Sequence, residues 1–240
     1  MRLPDVRVRY VRQPEELAGA DLVILPGSKN TLGDLVWLRE SGMAHGVVQL
    51  HRNNVPVVGI CGGYQMLGET IIDEVESGLG TLPGLGLLDT VTHFAQHKTT
   101  TLVEGQMSSS LPDWLAGTAG LSVRGYEIHM GHTTGNGKNS FSRIRTLTNG
   151  STEAEEDWQA DGAVCGNVAG TYVHGLFEDG SLTKNLCGAL LSKKGICAEA
   201  LTQDYAAFKE SQYDLLAAEV RKALDMEQIY RMMEKQEGDR

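Results

Sequence analysis

The sequence predicts an α/β protein: a mostly parallel, twisted sheet with flanking helices, an antiparallel excursion, and a helical C-terminal tail. Three observations carry that reading. The apolar runs Asp21-Leu-Val-Ile-Leu-Pro26 and Val55-Pro-Val-Val-Gly-Ile60 both stop abruptly at turns and lead into helical patterns, as strands buried on both faces of a parallel sheet do. From about Leu79 to Ile144 the chain becomes Gly-rich, Thr-rich and alternating, with turn signals at Pro83-Gly84 and Gly135-Asn136-Gly137, which reads as antiparallel strands and hairpins. From Glu199 to about Lys235, apolar residues recur at helical spacing between charges.

Taken in order, Val6–Val11 alternates and reads as a strand, and Pro14–Leu17 opens a helix with proline and acids in its first turn. Asp21–Pro26 is the first buried strand. Gly27–Thr31 is a loop, and helical periodicity runs from Leu32 to about Leu50. Val55–Ile60 is the next buried strand and drops into Cys61-Gly62-Gly63. Strand, helix, strand, helix in this rhythm predicts right-handed parallel connections. Ligands in such sheets sit at the carboxyl ends of strands, so the Pro26-Gly27 loop and Cys61 should face one crevice. Asn149–Trp158 is acidic and polar and reads as an exposed loop. Val164 and Val168–Val173 resume buried strands that end at His174-Gly175, and Leu182–Lys193 reads as a helix. The expected organisation is one domain over residues 1–197, with a helical tail over 198–240 packed on it.

The balance of charge excludes several function classes. The net charge is −10 over 240 residues, and no block of Lys and Arg could track a phosphate backbone, so nucleic acid is not an expected partner. No apolar stretch is long enough to span a bilayer, and none is expected to engage a membrane. Four cysteines (Cys61, Cys165, Cys187, Cys197) sit at irregular spacings without a Cys-x-x-Cys pair, and no histidine cluster has zinc spacing. Neither a disulfide scaffold nor a metal centre is expected. A reducing cytoplasmic setting suits both the composition and a reactive thiol.

The chemistry concentrates at Cys61. A β-branched run leading into a cysteine, two glycines and a helix is a strand–nucleophile–helix elbow, whose sharp turn lifts the side chain out of the sheet edge. Amides at the helix start favour the thiolate, the nucleophilic form. The competing reading is a buried structural cysteine. His174 also follows a strand-like run and precedes a glycine, so it should project from a strand's carboxyl end. A histidine titrates near neutrality, so it can take a thiol proton and hand it to a leaving amine. Cysteine followed at long range by histidine is the arrangement of a thiol acyl-transfer enzyme. The Gly62 amide is the first oxyanion donor, and the Gly27 or Ser28 amide in the facing loop is the second. His93 and His97 lie in strand and loop, where helical facing does not apply. Glu127 and His129 alternate onto one strand face, either a polar face turned to solvent or part of the site. Gly135–Ser140 lacks P-loop spacing and reads as a hairpin turn, so no nucleotide site of that type is expected.

Five segments together resemble one family, the class I glutamine amidotransferase domains of the cobyric acid synthase and cobyrinic acid diamide synthase type. They are Leu25-Pro-Gly-Ser-Lys-Asn-Thr31, Gly59-Ile-Cys-Gly-Gly-Tyr-Gln-Met-Leu-Gly68, Gly84-Leu-Gly-Leu-Leu88, Gly125-Tyr-Glu-Ile-His-Met-Gly131 and Gly170-Thr-Tyr-Val-His-Gly-Leu-Phe177. The resemblance implies a flavodoxin-like fold and glutamine hydrolysis, with Cys61 as nucleophile and His174 as proton carrier. It also implies that Gln65 helps hold glutamine and that the backbone of Glu127, Ile128 and His129 borders the pocket. Ammonia would pass to an ATP-dependent synthetase domain that amidates corrin carboxylates. ATP and Mg are expected on that domain, and no cofactor is expected on this chain.

Two departures qualify the match. Many class I amidotransferases place Glu two residues after the histidine, where this chain has Leu176, an absence that the cobyric acid synthase branch shares. Glu178, or a group on the partner domain, is then the expected orienter of His174. The family's synthetase domain would precede this region, so a fragment, an isolated domain or one subunit of a split enzyme is expected. Two alternatives share parts of the pattern: the glutaminase subunit that amidates the lipid II stem peptide, and a non-catalytic regulatory domain of the same fold.

Overall fold

The computed structural model describes residues 6–135, 139–147, 158–178, 180–196 and 205–237. They fall into two units, Arg2–Leu201 and Thr202–Arg240. In the first, a 3-10 turn at Pro14–Leu17 precedes β1 (Val23–Leu25), α1 (Thr31–Glu40), α2 (Met43–Arg52), β2 (Val57–Ile60) and α3 (Gly62–Leu67). There follow β3 (Thr70–Asp73), β4 (Gly80–Pro83), β5 (Thr90–Met107), α4 (Asp113–Ala116), β6 (Ser122–Gly135) and β7 (Ser142–Thr146). The unit continues through β8 (Gln159–Asp161), β9 (Ala163–Cys165), β10 (Val168–Thr171), a 3-10 turn at Leu176–Glu178 and α5 (Gly180–Lys193).

Two sheets result. One has the order β1-β2-β10-β9, with β1, β2 and β10 parallel and β9 antiparallel at the edge. Val57 of β2 pairs with both Val23 and Val168, and all three are buried. Strands β2 and β10 are covered on both faces, whereas β1, expected to be so, is an edge strand whose Ile24 is exposed on one face. The other has the order β4-β3-β5-β7-β8 with β6 also on β5, and it is antiparallel except where β3 runs beside β5. This is the predicted parallel layer with its antiparallel excursion. One apolar core (Leu35, Val47, Val57, Leu67, Ile71) packs around the parallel strands. A second (Val103, Phe141, Ile144, Val173, Leu176, Leu182) lies beneath the antiparallel sheet and α5.

Local chemistry explains the details. Asn30 caps α1 by accepting a hydrogen bond from Gly33 N at 3.2 Å, satisfying one of the amides that a helix start leaves unpaired. The predicted Leu32–Leu50 helix is two helices, because Gly42 adopts φ 79° and breaks the ladder between α1 and α2. Val6–Val11 is not a strand: its residues pair with no ladder, and Val8 and Tyr10 are exposed, so the alternation has no sheet to face. The expected loop at 149–157 and the turn residues Asn136 and Gly137 lie outside the described residues. The second unit contains α6 (Tyr205–Ala223) and α7 (Met226–Glu237), linked by a hydrogen bond from Arg221 to the Tyr230 hydroxyl at 3.0 Å.

Candidate active site

The elbow forms as its residues dictate. β2 ends at Ile60, and Cys61 adopts φ 54°, ψ −113°, a conformation costly for any residue with a Cβ, before α3 begins at Gly62. The turn holds because α3 lies almost in contact with the sheet. A Cβ on Gly59 would stand 2.6 Å from the Gly63 carbonyl oxygen, and one on Gly63 would collide with the Leu25 carbonyl of β1. Cys61 N donates to the Thr171 carbonyl at 2.8 Å, tying the elbow to the end of β10.

The Gly27 loop, Cys61 and His174 converge as the topology predicts. A methyl group at Gly27 would stand 3.6 Å from Cβ of Cys61 and 3.0 Å from Cε1 of His174. A Cβ at Gly62 would stand 3.0 Å from the Ser28 amide nitrogen, so that amide lies directly over the start of α3. The Ser28 hydroxyl is engaged within its own loop and α1: it accepts from Asn30 N at 2.9 Å and donates to Asp34 at 2.5 Å. β6 supplies the opposite wall. The Ile128 carbonyl accepts from the Cys61 thiol at 3.5 Å, and the rings of Tyr126 and His174 stack with centroids 5.1 Å apart.

Burial pushes the Cys61 thiol up from its ordinary value, and the Glu127 carboxylate adds to the rise against the lowering effect of the Gly62 amide. The expected bias toward thiolate at the helix start is therefore overridden by desolvation. His174 moves down, chiefly by burial and then by the charge of His129, while the Ile128 carbonyl opposes the drop. Its Nε2 is buried without a hydrogen-bond partner. At neutral pH the pair rests as a thiol beside an uncharged imidazole that is free to accept a proton.

Gln65 stands one turn into α3 with its amide fully engaged within the protein: Nε2 donates to the Met130 carbonyl (3.0 Å) and the Tyr172 hydroxyl (3.2 Å), and Oε1 accepts from Thr31 (3.2 Å). Glu127 and His129 do share a face, and it is a buried one. Oε1 of Glu127 lies 3.6 Å from Nε2 of His129, whose Nδ1 donates to the Gly131 carbonyl at 3.1 Å and whose ring stacks on Tyr172 at 3.8 Å. Glu178, the expected orienter of His174, sits in the 3-10 turn with its side chain exposed, and Leu176 is buried in the second core.

Sequence reasoning missed three supporting residues. Tyr172 bridges Gln65 and Thr133 (2.5 Å), and burial pushes its hydroxyl up to about 12. Asp161, fully buried, accepts from Thr171 Oγ1 (2.6 Å), Ser142 Oγ (2.8 Å) and Tyr172 N (3.0 Å), and so fastens β8 to the strand end that carries His174. Tyr126 lies in the Gly125–Gly131 segment, where nothing in the sequence assigns it a role. The Thr-Tyr-Val-His run flags Tyr172 by position alone, and nothing around Asp161 in the sequence marks it.

A cysteine at a strand–helix elbow on the carboxyl edge of a parallel sheet, with a facing glycine loop and a strand-end histidine, is the arrangement expected of an amidotransferase. The CobB/CobQ-like glutamine amidotransferase domain matches residues 1–182, and the chain belongs to that family. It is 64% identical over 233 residues to a cobyric acid synthase of Citrobacter koseri, covering 96% of this chain and 45% of the relative. It is 56% identical over 231 residues to the cobyric acid synthase of Salmonella arizonae, with the same two coverages of 96% and 45%. The chain thus spans less than half the length of these relatives. Among solved structures, a glutamine amidotransferase aligns over 80% of this chain and 88% of its own, at 18% identity and a TM-score of 0.44. PurLQS from Thermotoga maritima aligns over 74% and 82%, at 21% identity and a TM-score of 0.48.

Proposed function

We propose that this domain hydrolyses glutamine through a Cys61 thioester. The released ammonia then serves ATP-dependent amidation of the b, d, e and g carboxylates of adenosylcobyrinic acid a,c-diamide on a synthetase domain. The observation that carries the glutaminase reading is the single point above Gly27 from which Cys61 and His174 are both within van der Waals reach. The identity to cobyric acid synthases supports the acceptor.

The steps follow from the resting protonation states. His174 accepts the thiol proton as Sγ attacks the side-chain carbonyl carbon of glutamine. The oxyanion that develops is held by the Gly62 amide, which already faces the sulfur, and by the Ser28 amide above it. Collapse breaks the carbon–nitrogen bond, and the imidazolium returns its proton to the nitrogen, releasing ammonia. Water then attacks the thioester with His174 as base, giving glutamate and the free thiol. Gln65, pinned by Thr31, Met130 and Tyr172, shapes the pocket beside the thiol, and the Glu127–His129 backbone borders it. ATP and Mg belong to the synthetase domain in this scheme.

The test measures ammonia release from glutamine by the chain alone and with the synthetase region of a cobyric acid synthase supplied in trans. A diazo-ketone analogue of glutamine should form an adduct on Cys61, and Cys61→Ala should abolish both signals. Absence of ammonia and of adduct in both arrangements would overturn the reading.

A further inference from the structure

We propose that Tyr126 is the positioning residue for His174: its ring, stacked on the imidazole and bridged to it through the backbone, holds the orientation that a carboxylate two residues after the histidine supplies elsewhere. The inference rests on the reading of His174 as the proton carrier of the glutaminase proposed above.

The position that could carry the orienting acid holds Leu176, an aliphatic side chain turned into the second core. An imidazole without a restraint rotates broadly about its last side-chain torsion, and a base that rotates loses its aim at the thiol. Tyr126 removes that freedom twice. Its backbone and that of His174 exchange hydrogen bonds, His174 N to the Tyr126 carbonyl at 2.8 Å and Tyr126 N to the His174 carbonyl at 3.3 Å, so β6 fixes where the histidine's Cα sits. Gly125 permits this approach, since a Cβ there would collide with the His174 carbonyl. The two ring planes are then within 3° of parallel at 5.1 Å, the offset geometry that aromatic pairs favour. On the Gly27 side, the loop stands close to Cε1. The imidazole is held between a ring and a loop, with the Ile128 carbonyl as its hydrogen-bond partner.

This restraint differs chemically from a carboxylate. A stacked phenol ring occupies neither ring nitrogen: Nε2 is buried without a partner, and the imidazole's hydrogen bond goes to the Ile128 carbonyl. It also adds no negative charge that would favour the imidazolium, and His174 is held below its ordinary value. The histidine stays uncharged, and its direction is set by the stacked ring and the loop together with the Ile128 carbonyl.

The experiment compares Tyr126→Leu, which keeps apolar bulk and the backbone bridge but loses the ring, with Tyr126→Phe, which keeps the ring. An aromatic pair of this kind corresponds to about three- to tenfold in rate. Tyr126→Leu should therefore lower kcat for glutamine by that factor with KM little changed, and Tyr126→Phe should recover most of it. Nitrogen-15 NMR of the His174 ring supplies a readout that needs no turnover: a single dominant tautomer where the stacked ring keeps the imidazole against the Ile128 carbonyl, in the parent chain and in Tyr126→Phe, and averaged nitrogen shifts where the imidazole swings away from it, in Tyr126→Leu. Far-UV circular dichroism confirms that each variant is folded; should Tyr126→Leu fail that check, Tyr126→Ile carries the same comparison. Unchanged kcat and unchanged ring shifts in the aliphatic variant would overturn the inference, as would a phenylalanine variant as impaired as the leucine one. A parent chain that neither releases ammonia nor labels at Cys61 would defeat the glutaminase reading instead, and the ring shifts would still decide the role of Tyr126.

Discussion

Replacing Gly27 with alanine would add one methyl group at the point where the loop, the thiol and the imidazole meet. Gly27 does not occupy left-handed backbone, so the substitution strains no dihedral. The new Cβ would stand 3.6 Å from Cβ of Cys61, an ordinary contact, and 3.0 Å from Cε1 of His174, a contact too close to keep. The cysteine stays where it is and the imidazole must yield by about 0.4 Å, a fraction of the roughly 1 Å misplacement that can cost about a hundredfold in rate. Scaled to that shift, kcat for glutamine hydrolysis should fall by about five- to tenfold. Stability should hardly change, because the entropy removed from the unfolded chain, about 0.4–1 kcal/mol, opposes the cost of the tight contact. The assay is steady-state ammonia release beside a thermal unfolding curve for the same preparation. Unchanged kcat would show that the Gly27 loop does not set the imidazole's position. A fall in kcat with an equal collapse of the unfolding midpoint would show that the effect is structural, and either result refutes the reasoning.

Other outcomes follow from the same geometry. Gly63→Ala would drive a Cβ into the Leu25 carbonyl, and because backbone cannot rotate away the fold should lose about 2–3 kcal/mol or more, read as a lowered midpoint in urea. Glu127→Gln removes a carboxylate that raises the Cys61 thiol, so the pH midpoint of Cys61 alkylation by iodoacetamide should drop toward the ordinary value of 9.0; an unchanged or higher midpoint refutes the pairing. Asp161 is raised from 3.8 by burial, so its contribution to stability is greatest at low pH and is lost as pH rises through its value in the fold. Asp161→Asn should therefore compare better with the parent chain at neutral pH than near pH 3.8, as measured by urea unfolding at both.

Much of the site was legible because strand ends in a parallel sheet are legible. Two buried runs ending in Pro26-Gly27 and Ile60-Cys61 placed the loop and the thiol at one edge, and Val168–Val173 brought His174 to the same edge. What the pattern could not show was electrostatic and long-range. Helix-start amides are a local feature, whereas the Glu127 charge and the Ile128 carbonyl that also act on Cys61 come from β6, which lies about sixty residues on in the chain and pairs with β5 rather than with the strand that carries Cys61. Val6–Val11 misled because alternation signals a strand only where a neighbouring strand exists to accept it. The periodicity from Leu32 to Leu50 concealed a break, since Gly42 continues the apolar spacing while leaving helical backbone. Asp161 escaped notice because a buried carboxylate is defined by its donors, and here those come from β7, β10 and the residue after β10.

The distribution of these contacts bears on how stability and activity are joined in this domain. Cys61 arrives on the parallel sheet, while the groups that tune it, Glu127 and the Ile128 carbonyl, arrive on the antiparallel one. The two layers are tied near the site by polar links: Asp161 to Thr171 and Tyr172, Tyr172 to Thr133, Gln65 to Met130, and the Tyr126–His174 bridge. Hydrogen bonds hold direction as well as distance, whereas apolar packing tolerates sliding, so links of this type fix the separation of thiol and base. The Asp161 links to Thr171 and Tyr172 are buried, so breaking either leaves a polar group unsatisfied at a cost of about 1–3 kcal/mol. Substitutions along this seam should therefore lower stability and turnover together, while Gly27→Ala, which touches none of its hydrogen bonds, should separate them. That contrast distinguishes a site held by its seam from one held by the elbow alone.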